Sequence, residues 1–166
     1  MDLLTFIIIL HLVGTVLGVG GATFIEININ KALKDGEIDP VESSFLASTF
    51  TTVRIGLIIS LFTGMALLLL YRFEGQAFKL YDPTLWAKFT MLGIIVVNAL
   101  LLQAHRVPLW LGSALSFVSW YGVMIAGVVL RGPSIPYVQV MFLYIVALLV
   151  GVLVLAGIRK KLGVKA

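Results

Sequence analysis

The sequence predicts an all-α fold: a polytopic transmembrane helical bundle of five helices, forming one integral membrane domain over residues 1–166. Three observations carry that expectation. Hydrophobic residues make up 60% of the chain and charged residues only 12%, where a soluble domain carries about 25% charge. The mean hydropathy is +1.09, so lipid is the solvent expected for most of the surface. Apolar stretches long enough for a hydrocarbon core of ~30 Å follow one another, separated by breaks rich in Pro, Gly and Asp.

Taken in order, the first span covers residues 3–25. It begins with Asp2, lacks a basic leader region and runs too long for a typical cleaved signal, so a permanent helix is expected. Its pattern continues through Glu26, Asn28, Asn30 and Leu33, and Asp35-Gly36 supplies a stop. Asp39-Pro40-Val41-Glu42 then reads as a helix start, with Asp39 as N-cap, Pro40 in the first turn and Glu42 three residues on. The second helix should run from Pro40 to Phe73, about 50 Å at 1.5 Å per residue, and so project beyond the lipid. Residues 74–81 form a polar, aromatic loop. Asp82-Pro83 repeats the cap signal and opens a third span over residues 84–103. His105-Arg106-Val107-Pro108 is a tight connection that makes the third and fourth helices antiparallel neighbours. The fourth span covers residues 108–130, Arg131 to Pro136 breaks it, and the fifth runs over residues 137–158.

Five spans put the termini on opposite sides. Lys31, Lys34, Arg106, Arg159, Lys160, Lys161 and Lys165 collect on one side, and Arg72, Lys79 and Arg131 on the other. The positive-inside rule then places the C-terminus in the cytoplasm and the N-terminus outside a cell (inner or plasma) membrane. The net charge of +4 serves topology and anionic lipid, with no folded basic surface for nucleic acid. The absence of cysteine excludes disulfides, Cys-ligated iron–sulfur clusters, c-type haem attachment and thiolate metal sites.

Depth sorts the polar residues into two layers. In the outer half, His11 lies about 12 Å and Lys88 about 6 Å from the outer ends of their helices, and Met65, Met91, Met124 and Met141 about 7–11 Å. The inner half holds Glu26, Arg54, His105 and Arg106. His11 and His105 stand about 20 Å apart along the membrane normal, so they cannot be the two axial ligands of one haem, which lie about 4 Å apart.

An imidazole inside a membrane helix asks for a partner or a ligand. His11 is therefore the candidate ligand of haem b, or of copper as the alternative; the structural possibility is a hydrogen bond to a backbone carbonyl or a neighbouring Ser or Thr. Gly14, Thr15, Gly18 and Ala22 make a flat strip beside it, either a bed for a planar macrocycle or a close helix contact of the GxxxG kind. Lys88 is either a proton-transfer (catalytic) group or a snorkelling lysine. Met65 would suit soft copper or a second axial position, though methionine is also an ordinary core filler. Arg54 is a candidate partner for haem propionates, or for Glu26 in a structural ion pair. His105 reads as an interfacial residue, and Trp86, Trp110, Tyr71, Tyr81 and Tyr137 as aromatic belts.

An early histidine before a Gly-rich stretch, His11 to Gly21, followed by Leu85-Trp86-Ala87-Lys88 opening the third span, resembles the HemJ-type protoporphyrinogen oxidases and the related CopD-like membrane proteins. The resemblance covers about thirty residues and short motifs. It implies a small helical bundle with His11 as haem or metal ligand and Lys88 as the functional lysine. Those oxidases usually have four spans against the five expected here, and Val97-Asn98 stand where an aromatic-His pair is expected.

The function expected is thus a haem- or metal-binding protein of membrane redox or porphyrin chemistry, with a quinone or other electron partner. The alternatives are a small-solute or metal-ion transporter and a structural subunit of a membrane complex. Gly14, Gly18 and the small residues Gly112, Ser116, Ser119, Gly122, Ala126 and Gly127 of the fourth span make a homo-oligomer a further expectation.

Overall fold

The structure is a computed structural model that describes residues 2–32, 38–130, 132–161 and 163. It contains five helices long and apolar enough to cross a membrane: α1 (Leu3–Ala32), α2 (Pro40–Phe73), α3 (Pro83–Gln103), α4 (Leu109–Val129) and α5 (Tyr137–Lys161). The described residues contain no strand. Leu33, Lys34, the expected stop at Asp35-Gly36, Arg131 and Lys165 lie outside the described residues.

Local chemistry sets the helix ends. The Asp2 carboxylate accepts from the Thr5 N–H at 3.1 Å, and hydrogen bonds from Thr5 hold its pKa below the ordinary aspartate value. At α2 the capping box is complete: Asp39 accepts from Glu42 N–H at 2.7 Å, and Glu42 accepts from Asp39 N–H at 3.2 Å. Asp82 caps α3 through Thr84 N–H at 2.8 Å. α3 closes with His105 in the left-handed region (φ 53°), while Arg106 N–H reaches back to the Leu101 carbonyl at 2.9 Å. Part of the expected 74–81 loop is helical, a 3-10 turn over Ala77–Tyr81. It is steadied by Trp86, whose indole N–H donates to the Leu80 carbonyl at 3.1 Å. α5 runs past the expected residue 158 to Lys161, because Arg159 is drawn into the bundle.

The helices pack in a row, α2 on α1, α1 on α4 and α4 on α3, with α5 laid on α3 and α4. The α1–α2 contact is the closest. A Cβ on Gly14 would lie 2.8 Å from Ser60 N, and one on Gly56 would lie 2.7 Å from Gly18 N, so backbone meets backbone. The Trp120 ring of α4 covers Gly18 from the other side and is fully buried. Both glycines are therefore filled by protein, and the GxxxG is spent inside the chain. Likewise Gly112 faces Leu102, and Gly122 faces Tyr144 and Met91. α5 is apolar all round yet buries only Tyr144 and Arg159, as expected where lipid is the solvent.

Candidate functional site

Two polar clusters lie at opposite ends of the bundle. The first joins α1, α2 and α3. His11 Nδ1 is 2.9 Å from Thr63 Oγ1, and Lys88 Nζ is 3.3 Å from His11 Nε2. The hydrogens can be placed by elimination. Thr63 has one hydroxyl proton and donates it to the Ile59 carbonyl at 2.6 Å, one turn back. Towards the imidazole Thr63 therefore accepts, and His11 carries its proton on Nδ1. Nε2 is left with its lone pair, to which Lys88 donates. Small residues make the approach possible: Gly64 lies beside the imidazole, where a Cβ would stand 3.4 Å from Cε1, and Gly127 of α4 lies beside the Lys88 ammonium at the same distance.

Such a pair can exchange a proton along an N–H···N hydrogen bond. It cannot hold a second positive charge cheaply. Two cations this close repel by about 5 kcal/mol even at an effective dielectric of 20. Both imidazole nitrogens are engaged, so a metal or haem iron at Nε2 would have to displace Lys88.

The residues expected beside His11 are brought together only in part. Lys88 joins it. Gly14 and Gly18 are on the same helix but face Ser60, Gly56 and Trp120. Met65 follows Gly64 on α2 yet points outward, 59% exposed, whereas Met91 is buried in the core. Among the described residues no three of His, Cys, Asp and Glu come together as a metal site. Thr63 and Gly64 were not among the expected site residues, though Ser60-x-x-Thr63-Gly64 on one face of α2 was the available signal, and Gly127, expected only as a helix-packing residue, stands beside Lys88.

The second cluster corrects an expectation. Glu26 does not pair with Arg54; its partner is Arg159 of α5. Val53 is the α2 residue that faces Gly21 of α1, and one step along a helix turns the next side chain by about 100° away from that contact. Arg54 is consequently exposed. Arg159, expected only as part of the cationic tail, is buried, with Nε donating to Asn30 Oδ1 at 2.8 Å and an Nη to the Trp110 carbonyl at 2.8 Å.

Between the two clusters lies apolar core, with Ile25, Val53, Met91, Leu92 and Ile95 all buried. No protein-family model, curated protein or solved structure matches the chain.

Proposed function

We propose that this is a multi-pass membrane protein of redox chemistry in which Lys88 and His11 form the acid–base pair. The substrate class is a reduced, bilayer-soluble compound of the quinol or porphyrinogen type, whose electrons pass to a quinone acceptor as its protons leave through the pair. The observation that carries this is the 3.3 Å approach of Lys88 Nζ to His11 Nε2, at one end of the bundle and, among the described residues, without a carboxylate partner. Thr63 orients the imidazole so that Nε2, the nitrogen with the lone pair, faces the lysine. The same two residues carry the resemblance to HemJ-type proteins. By the positive-inside rule the pair lies in the outer half of a cell membrane, and the Glu26–Arg159 end faces the cytoplasm.

Proton transfer on one side suits this chain better than solute passage, because buried apolar residues separate the two polar layers. The test is turnover in proteoliposomes supplied with a quinol or a porphyrinogen and a soluble quinone as electron acceptor. Wild-type protein is expected to oxidise one of them, and Lys88→Met or His11→Phe to lose about 10²–10⁴-fold, the usual share of a general acid–base group. Folded wild-type protein inert towards both substrates would overturn the proposal. A Soret band in purified protein that His11→Ala abolishes and Lys88→Met keeps would replace it with haem ligation at Nε2.

A further inference from the structure

The end of the bundle opposite His11 contains a cleft of about 560 Å³, within the range of small-molecule sites. It opens between α2 and α3 and reaches α1 and α4 behind them. Leu57 and Leu102 are among its apolar walls. Arg54, His105 and Arg106 line it, and none of the lining residues among the described ones is acidic. Asn98, also in the lining, is only 5% exposed, and its side chain is half satisfied: Nδ2 donates to the Gly112 carbonyl at 2.8 Å, but Oδ1 has no partner among the described residues.

These features ask for complementary chemistry. Arg54 forms no ion pair among the described residues. It starts at a depth that would be costly for an isolated cation, and its stem can carry the guanidinium to headgroup level. Arg106 lies three residues past the end of α3 and lines the same cleft as Arg54, so the two cations reach the rim together. A basic pocket between membrane helices fits an anionic headgroup. Asn98 lies five residues before the end of α3, about 7.5 Å deeper. Its free oxygen requires a donor from the ligand, which a hydroxyl just below the headgroup supplies.

We propose that the cleft binds an anionic single-chain amphiphile. Arg54 and Arg106 hold its phosphate, a free hydroxyl next to the phosphate donates to Asn98 Oδ1, and the acyl chain follows the apolar wall. The ligand class is a lysophospholipid with an acidic headgroup. This site is separate from the His11–Lys88 pair, and its binding is independent of any turnover there.

The experiment is native mass spectrometry of the full chain, purified in a neutral detergent and titrated with defined ligands. Lysophosphatidylglycerol is expected to bind one to one, and lysophosphatidylcholine of the same chain length and glycerol 3-phosphate far more weakly. The Arg54→Gln/Arg106→Gln double variant, checked for an unchanged melting temperature, should bind the anionic lysolipid about twenty-five-fold more weakly, at about fivefold per arginine. The analogue O-methylated at the sn-2 hydroxyl should bind about fivefold more weakly to unaltered protein. Equal binding of anionic and zwitterionic lysolipids, or unchanged binding by the folded double variant, would overturn the proposal. So would glycerol 3-phosphate binding as tightly as the lysolipid, or a methylated analogue as tight as its parent.

Discussion

Glu26 of α1 and Arg159 of α5 form an ion pair that is almost wholly buried, with 3% and 6% of their surfaces exposed. The guanidinium also reaches Asn30, the Trp110 carbonyl and, at 3.3 Å, Ser113, so one side chain ties α5 to α1 and α4. The other specific bonds of α5 are the Tyr144 hydroxyl to Ser119 of α4 and the Tyr137 hydroxyl to Thr90 of α3, and most of its remaining surface is apolar towards apolar lipid.

Breaking this pair from one side leaves a buried charge, which costs about 3–5 kcal/mol, whereas removing both partners leaves none. Arg159→Met and Glu26→Leu should therefore each unfold earlier in detergent, and the double variant should recover most of the loss. Unfolding midpoints of the four proteins make the cycle. An Arg159→Met protein as stable as wild type would refute the structural role given to the pair.

Two neighbouring glycines should behave oppositely. A Cβ at Gly18 would run into the Trp120 ring, which is fully buried and has no room to withdraw. Overpacking of this kind costs about 1–3 kcal/mol or more, so Gly18→Ala should melt lower. Gly20 has nothing within 4 Å of an added Cβ, and Gly20→Ala should be neutral or stabilising by about 0.4–1 kcal/mol. Equal melting temperatures for the two variants would remove the helix-packing explanation of the Gly-rich stretch.

Tyr144 is the one buried aromatic of α5, and its hydroxyl stands 2.7 Å from Ser119 Oγ of α4. Tyr144→Phe should cost about 1–3 kcal/mol because the Ser119 hydroxyl is left buried and alone. Tyr144→Phe/Ser119→Ala removes both polar groups and should be closer to wild type in the same melting assay. If the double variant is as unstable as the sum of the singles, the hydrogen bond is not the cause.

Helix number and helix starts were legible because hydropathy and capping signals are local. Asp39-Pro40-x-Glu42 and Asp82-Pro83 name their helix starts without any tertiary knowledge. Partner choice was not local. Arg54 and Arg159 are equally charged residues near the same membrane end, and only the phase of each helix against its neighbour decides which one meets Glu26. The same holds for Gly14 and Gly18: a flat strip accepts a ligand or a helix equally well, and α2 with Trp120 fills it. His11 and Lys88 were each visible as polar residues at one depth, but depth along the normal left their 3.3 Å meeting unspecified.

The tautomer of His11 offers the most direct check on the site. Thr63 gives its proton to Ile59 and so accepts from Nδ1, which leaves Nε2 as the acceptor for Lys88. Nitrogen-15 spectra of histidine-labelled protein in lipid, near neutral pH, should show His11 with a protonated Nδ1 and a bare Nε2. Thr63→Val removes the acceptor and should mix the tautomers. Lys88→Met removes the donor, leaves Thr63 in place and should keep the Nδ1–H form while changing the Nε2 shift. A protonated Nε2 in the wild-type protein would mean that Lys88 accepts rather than donates, reversing the hydrogen bond assigned to the pair.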